Sequence, residues 1–241
     1  MNYDIYFQVK RTGHTHAHIP DWPGCNWLAK SPEEAMDLAE GAIACHLAWL
    51  RKYGKLCPPA SEPIHPRLSQ QHMSTASEGH LIGFFEIERQ PVQAEEVPGF
   101  LDLMTNARTE LLSLVSDLPN ETLIWQPAPE SWCIQDVLRH VAGAERWYLT
   151  RILDPTTIPR FKPCKSVWQR LETVHAVALE RLSRLNKDER SAMVADESGE
   201  LWSARKVFRR YLEHEREHTA HIQEILSQYS WYLGFKQNPH W

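Results

Sequence analysis

The hydrophobic periodicity changes at Pro91, and this change most strongly limits the folds that the 241-residue chain can adopt. Beyond Pro91, four long segments repeat apolar residues at helical spacing: residues 100–118, 133–153, 165–185 and 203–229. Each apolar stripe must be buried, and four such helices joined by polar or proline-containing loops most simply form a four-helix bundle. We therefore predict an all-α second domain over residues 91–241, without a further strand.

The first 90 residues are predicted to form a small α+β domain. Four stretches have the composition or alternation of strands: residues 3–9, 14–19, 25–29 and 81–88. A polar stretch rich in proline, serine and histidine, residues 57–79, separates the last two and is interpreted as a loop. The chain as a whole is thus expected to be a two-domain α+β protein.

One helix is predicted between the third and fourth strands. Ser31 can act as its N-cap, Pro32 fits the first helical position, and Glu34 completes a capping box. Gly54 stands where a C-terminal stop is expected. The predicted order of elements in this domain is therefore β-β-β-α-β.

This order, together with the segment IPDWPGCNWLAKSPEEA at residues 19–35, resembles the HicB-like antitoxin domain over about residues 1–90. The resemblance implies a small RNA-cleaving toxin as a partner. HicB proteins also carry a C-terminal DNA-binding element, but no basic segment follows here. The net charge of −5 likewise does not favour binding to nucleic acid.

The cysteine count and the hydropathy pattern indicate a cytoplasmic protein. The five cysteines are odd in number and form no C-x-x-C pair, which argues against a disulfide framework or a zinc ribbon. The N-terminus lacks the basic and apolar regions of a signal peptide. No apolar run approaches the roughly 18 residues of a membrane-spanning helix, so no membrane partner is expected.

Three histidines lie close together in the last predicted helix, at positions 214, 218 and 221. At about 100° per residue, His214 and His218 fall within the apolar stripe that also carries Val207 and Ile222, whereas His221 lies at its edge. Two histidines one turn apart on the inward face of a bundle helix can bind a metal. They can also be buried side chains satisfied by hydrogen bonds, so this helix alone leaves both interpretations open.

A further ligand would have to come from another helix. His140 borders the apolar face of the second helix, and His175 occupies a comparable position in the third. Spacing alone does not choose between these two histidines.

Two segments then resemble the DinB/YfiT-like superfamily: PAPESWCIQDVLRHVAGAERWYLTRI, residues 127–152, and VFRRYLEHEREHTAHI, residues 207–222. They match the second and last helices of that family, within a resemblance that spans about residues 95–230. The resemblance implies a four-helix bundle that holds a divalent metal through one histidine of the second helix and two of the last.

Matched position by position, the implied ligands are His140, His214 and His218. His221 falls where the family often has glutamine, and it is kept as an alternative ligand. Cys133 stands where the family has serine or threonine at the helix start. We interpret it as a thiol packed against Trp132 without a chemical role, although a helix N-terminus can lower a thiol pKa.

The resemblance implies a metal-dependent enzyme, with zinc or nickel as the expected ion. Members are described as transferases or isomerases that use low-molecular-weight thiols such as bacillithiol or mycothiol, and others as hydrolases. Three imidazoles leave open positions on a divalent ion, which lowers the pKa of bound water to about 7 or deprotonates a bound thiol. We therefore predict a thiol S-transferase or hydrolase acting on a small molecule.

No general base is evident in the sequence. The glutamates at positions 145, 213, 215 and 217 are candidates for orienting ligand imidazoles. On so charged a helix they are also expected to be solvated or to pair with arginines four residues away.

The alternative is a regulatory or binding module without turnover. In that case the HicB-like domain recognises a partner, and the bundle is a metal-stabilised dimerisation platform with His221 as a fourth ligand. A homo-oligomer, such as a dimer, is expected in either case. The run His14, His16 and His18 alternates along a strand and is either a second metal site or a solvated sheet face.

Overall fold

The structure is a computed structural model that describes residues 1–74, 83–159 and 166–237, with side chains to residue 234. It divides into two compact units. The first comprises Met1–Gln93 together with Lys187–Glu213, and the second comprises Ala94–Asn186 with the remainder of the chain from His214. The predicted division between residues 90 and 91 lies near Gln93, but it leaves out the later segment that belongs to the first unit.

A four-stranded sheet forms the centre of the first unit. Its strands are β1 (Asn2–Val9), β2 (Thr15–His18), β3 (Asn26–Ala29) and β4 (His65–Met73), and their order in the sheet is β3-β2-β1-β4. Strand β1 pairs antiparallel with β2 and parallel with β4, while β2 pairs antiparallel with β3. The parallel pair requires a crossover connection, which two helices supply, α1 (Pro32–Asp37) and α2 (Ala39–Lys52).

The predicted fourth strand at residues 81–88 is wrong in position. Strand β4 instead lies within the polar stretch that was interpreted as a loop, and Glu86–Arg89 form a 3₁₀ turn. Residues 81 and 82 lie outside the described residues. Among the described residues, strand β4 has one neighbour in the sheet, and its side chains are mostly exposed, so it lacks the apolar alternation that identifies a strand. Phe85, by contrast, is fully buried without belonging to a strand.

The predicted helix after Ser31 is divided at Leu38 into α1 and α2. The N-cap is confirmed, because the hydroxyl of Ser31 accepts a hydrogen bond from the amide of Glu34 at 3.2 Å. The Glu34 carboxylate accepts from the amide of Lys30, one residue before the position that a standard capping box would use.

The expectation of no strand beyond Pro91 is also wrong. A short helix, α7 (Lys187–Ser191), precedes an antiparallel hairpin of β5 (Met193–Ala195) and β6 (Leu201–Ser203). Strands of three residues are too short to show a period of two, and all of β5 is exposed. Gly199 turns the hairpin with a φ of 82°, a conformation that glycine adopts without strain.

The second unit contains the predicted long helices. They are α3 (Val97–Val115), α5 (Ile134–Leu149), α6 (Val167–Ser183) and, from His214 onward, α8 (Ala204–Gln237); the short α4 (Asn120–Ile124) follows α3. Their apolar stripes meet in one core, which includes Leu111, Leu138, Leu171 and Ile222. The structure therefore has an N-terminal sheet region and a helical part, as the sequence predicts. The final residues of the tail, 238–241, lie outside the described residues.

The beginning of α8 is buried although its sequence is highly charged. In the first unit, Arg209 binds Glu88 at 2.6 Å and Glu213 at 2.9 Å, and all three side chains are at most 2% exposed. Arg210 adds a second bond to Glu213 at 2.8 Å. These charges are tolerated in the interior because each is paired and hydrogen-bonded.

Within the described part of the chain, no helix has the length and apolar character needed to cross a membrane. Cys25, Cys45, Cys57 and Cys133 are free thiols. Cys164 lies outside the described residues.

Candidate metal centre

Three histidines from two helices of the second unit meet at one place. His140 comes from α5, and His214 and His218 stand one turn apart on α8. The Nε2 atoms of His140 and His214 are 2.9 Å apart, and each histidine offers a ring nitrogen within 4.8 Å of the others. The structure thus brings together the three residues that the family resemblance implied as ligands.

The positions of these histidines follow from the apolar faces of their helices. On α5, Leu138 and Val141 are buried, so that His140 lies at the border of the apolar face. On α8, Ile222 is fully buried and His214 is 9% exposed, whereas His218 is half-buried. The three imidazoles therefore stand where the core meets the surface.

Aromatic rings surround the three histidines. The Trp132 ring lies 4.9 Å from the ring of His140 and is stacked 6.2 Å from that of His218. The ring of Tyr148 meets His214 edge-on at 5.7 Å. Burial lowers the pKa of His140 below its usual value of 6.5, which favours the neutral imidazole, the form that binds metal.

The three residues fit a divalent ion. Around tetrahedral zinc with bonds of 2.0–2.1 Å, two ligand nitrogens are about 3.3 Å apart. The 2.9 Å contact between His140 and His214 therefore needs to open by only about 0.4 Å. Imidazole donors suit zinc, copper, iron and nickel rather than magnesium or calcium.

The alternative ligand His221 lies beside this group. Its ring is 5.9 Å from that of His218 and 6.4 Å from that of Trp132. It does not belong to the set of nitrogens that lie within 4.8 Å of one another.

A second polar cluster, which the sequence did not reveal, takes one residue from each long helix of the unit: Arg108, Glu145, His175 and Glu215. Arg108 binds Glu145 at 2.9 Å and Glu215 in a bidentate pair. His175, the competing candidate for a ligand, places its Nδ1 atom 2.7 Å from Glu145. Glu145, His175 and Glu215 also offer ligand atoms within 4.8 Å of one another, but Arg108 already binds both carboxylates, so we interpret the cluster as an ion-pair network.

The charges of this cluster govern its titration. Burial raises the pKa of the Glu215 carboxyl. Burial acts in the same direction on Glu145, but Arg108 and His175 outweigh it and lower that pKa. Arg108 is buried, yet Glu215 and Glu145 raise its pKa above the usual range. A cationic Arg108 is therefore required to keep two carboxylates in this interior.

The candidate orienting glutamates are largely engaged in ion pairs. Glu145 and Glu215 bind Arg108, and Glu213 binds Arg209 four residues away. The expected pairing with an arginine four residues away is confirmed for Glu213, whereas Glu145 and Glu215 are neither solvated nor paired at that spacing. The sequence missed this because the arginine that pairs with two of them lies more than 30 residues away on another helix.

The histidines of the run at positions 14, 16 and 18, of which His16 and His18 belong to β2, take part in separate interactions of the first unit. His14 contacts the Thr12 hydroxyl at 2.9 Å, and His16 accepts from the Asn26 amide at 2.9 Å. His18 is fully buried, with Nδ1 2.8 Å from Glu213. Over residues 1–74, 83–159 and 166–237, no group of three candidate metal ligands includes this run. His14 is exposed and His16 half-buried, so the solvated face considered from the sequence fails at His18, which lies in the interior.

Cys133 is the N-cap residue of α5. Its thiol donates to the Asp136 carboxylate at 3.0 Å, and its amide donates to the same group at 3.3 Å. Burial and the Asp136 carboxylate raise the pKa of this thiol, which is opposite to the lowering that a helix N-terminus can cause. The thiol has a hydrogen-bonding role that the sequence interpretation did not include.

Comparison with known families identifies one region of the chain. Residues 103–222 match the family model of the DinB superfamily, and this stretch contains all three converging histidines. None of the curated proteins matches the chain. The comparisons lend no support to the HicB-like resemblance of residues 1–90.

Two solved structures match part of the chain. One is described as "YfiT from Bacillus subtilis is a probable metal-dependent hydrolase with an unusual four-helix bundle topology"; it is 14% identical, with a TM-score of 0.48 over 62% of this chain and 94% of that chain. The other is "Crystal structure of TT2238, a four-helix bundle protein", 19% identical, with a TM-score of 0.43 over 53% of this chain and 98% of that chain.

Proposed function

We propose that this protein is a metal-dependent enzyme in which His140, His214 and His218 hold a divalent ion, with zinc or nickel as the preferred metal. The observation that supports the proposal is the convergence of three imidazoles from α5 and α8 within 4.8 Å. Partial desolvation at the border of the apolar face lowers the pKa of His140 and favours the neutral form that binds metal. The match of residues 103–222 to the DinB superfamily agrees with this assignment.

The reaction that we propose is thiol S-transfer or hydrolysis of a small molecule, with a low-molecular-weight thiol as the co-substrate in the first case. A divalent ion with three imidazole ligands supplies open positions at which a water or thiol is deprotonated near neutral pH. The protein's own contribution is to hold the ligands in place and to limit water. Trp132 and Tyr148 pack against the histidine rings and so exclude part of the water from the place where the substrate would react.

Metal content tests the site. We expect about one zinc or nickel ion per chain, measured by mass spectrometry on untagged protein. His140→Ala and His214→Ala should each lose it, whereas His221→Ala should retain it. Loss of metal in His221→Ala would instead favour a closed four-ligand site and a non-catalytic, metal-stabilised module.

Turnover tests the chemistry. Metal-loaded protein should consume a low-molecular-weight thiol in the presence of an electrophile, or should hydrolyse an activated ester, and His214→Ala should do neither. A fully metal-loaded protein that binds no such thiol and turns over neither class of substrate would refute the proposed activity.

The HicB-like identity of residues 1–90 is a separate proposal. The order of β1 to β4 with an intervening helical crossover agrees with it, as does the proline-glycine turn that precedes β3. A small basic protein that co-purifies with the full chain would support a toxin-like partner. If no such protein co-purifies and the chain forms a single species at the mass of a homodimer, the toxin-like partner is contradicted and self-association remains.

A further inference from the structure

An aromatic groove opens in the second unit, near the end of the chain. It has a volume of about 460 Å³ and is lined by Trp125, Pro127, Ser227, Gln228, Trp231 and Tyr232. Small-molecule sites have volumes of about 300–1,000 Å³ and mostly apolar linings with a few polar groups. The groove fits that description, because its rings are accompanied by the hydroxyls of Ser227 and Tyr232 and by the carboxamide of Gln228.

The walls of the groove are built from rings that already pack together. Trp125 lies 5.2 Å from Tyr229 and 5.7 Å from Tyr232. Trp231, at the rim, remains 75% exposed. A large apolar ring in water gains free energy when a ligand covers it, so the rim is a favourable place for an apolar group.

The loop between α4 and α5 links the groove to the histidines. Trp125 stands at the groove, whereas Trp132, at the other end of the loop, packs against His140 and is stacked on His218. The loop is held by its own hydrogen bonds: the Gln126 amide donates to the carbonyl of Ser131 at 2.8 Å, and the Ser131 hydroxyl accepts from the amide of Ala128 at 3.0 Å. One ordered segment therefore borders both features.

Helix α8 also connects the groove to the three histidines. Gln228 follows His221 by seven residues, which places it about 10 Å further along the helix and within about 20° of the same direction. His221 is itself beside His218, with ring centroids 5.9 Å apart. Gln228, on one wall of the groove, thus lies on the continuation of the face of α8 that carries His221, and Trp231 lies beside that face.

We infer that the aromatic groove binds the apolar end of the molecule whose reactive group meets the proposed metal at His140, His214 and His218. This inference rests on the proposed function and names its substrate class: an extended small molecule with a polar reactive head and an apolar tail. An extended chain covers about 3.5 Å for every three bonds, so about nine to twelve bonds separate the two ends.

Binding of alkyl hydroxamic acids tests this without requiring turnover. The hydroxamate head chelates a divalent ion, and the tail length can be varied. We expect metal-loaded protein to bind decanohydroxamic acid at least about tenfold more tightly than acetohydroxamic acid, since each fully buried methylene contributes about fourfold. Isothermal titration calorimetry measures both affinities.

Substitutions in and beside the groove test whether the affinity gained with the longer alkyl chain comes from the groove. Trp231→Ala should abolish most of the advantage of the long chain and leave acetohydroxamic acid binding unchanged. Leu233→Ala, which removes an exposed side chain of the same helix outside the groove lining, should preserve that advantage.

The outcomes separate this inference from the proposed function. If acetohydroxamic acid binds but lengthening the tail brings no gain, or the gain survives Trp231→Ala, the groove assignment is wrong while the metal site stands. If neither hydroxamic acid binds to metal-treated protein, both fail. If sedimentation shows a dimer that Trp231→Ala dissociates, a second copy covers the groove and the inference is overturned.

Discussion

The Nε2 atoms of His140 and His214 are 2.9 Å apart, although the two residues are separated by 74 positions and belong to different helices. An ion bound by both would join α5 to α8 and stabilise the folded chain by mass action. At a free metal concentration of one hundred times the Kd, the free energy of unfolding should rise by about 2.7 kcal/mol.

Urea unfolding with added zinc or nickel, and then with a chelator, measures this stabilisation. His140→Ala should remove the metal-dependent increase, and His221→Ala should keep it. An equal increase in all three proteins would place the bound metal elsewhere.

Removal of Arg108 should be costly because it leaves two carboxylates in the core. In Arg108→Met, Glu145 and Glu215 lose their shared cation, and the free energy of unfolding should fall by about 3–5 kcal/mol. Arg184→Met provides the control, since Arg184 is an exposed partner of Glu180, and its removal should cost less than about 1 kcal/mol.

The buried ion pairs of Arg108 with Glu145 and Glu215 can also be removed together. Arg108→Met combined with Glu145→Gln and Glu215→Gln removes the buried charges together, so denaturant unfolding should show part of the stability recovered. If the triple variant is no more stable than Arg108→Met, packing around the guanidinium rather than its charge dominates.

Lys206 should make stability depend on pH in the alkaline range. Its side chain is fully buried and binds Glu200 at 2.7 Å, and burial lowers its pKa from 10.5 to about 8. Between these values the unfolded chain binds a proton at Lys206 that the folded chain has released. The free energy of unfolding should therefore rise from pH 8 to pH 10.5, by about 3 kcal/mol at most.

Lys206→Met isolates this contribution. Burial raises the pKa of Tyr3 and Tyr6, so their ionisation opposes the trend in both proteins above pH 10. The difference between wild type and variant, measured by urea unfolding at several pH values, removes that background. A difference that does not change across the window would show that Lys206 titrates normally.

The Cys133 thiol should react slowly. It is 6% exposed, and burial with the Asp136 carboxylate raises its pKa, so less thiolate is present at neutral pH. Alkylation by iodoacetamide, followed by peptide mass spectrometry, should be about tenfold or more slower at Cys133 than at the exposed Cys45. Asp136→Asn should accelerate the reaction at Cys133 and leave Cys45 unchanged.

The long helices were predictable from the sequence because each repeats its apolar residues over several turns. Strand β4 was not, since an edge strand with mostly exposed side chains has no apolar alternation to detect. The hairpin of β5 and β6 was missed for a related reason: three residues are too few to establish a period. The strand predicted at residues 81–88 failed because apolar side chains such as Phe85 are buried from an irregular segment.

Residues of the candidate site were accessible to sequence reasoning to different degrees. Helical geometry placed His214 and His218 on the apolar stripe, and the choice of His140 over His175 required a resemblance to a family. Arg108 lies between Met104 and Leu111 on the buried stripe of α3, which is a signal that the sequence analysis could have used. Its partners Glu145 and Glu215 could not be identified, because their pairing depends on how three helices pack.

The first unit is assembled from two separated stretches of chain, and this limits how the protein can be divided or recombined. A fragment that ends at Gln93 would lack Arg209 and Glu213, the partners of the fully buried Glu88 and His18. Exchange of one unit between proteins would need junctions after residues 93, 186 and 213, the last of them inside the continuous helix α8. The two units are therefore expected to be inherited and engineered together as one chain rather than as interchangeable modules.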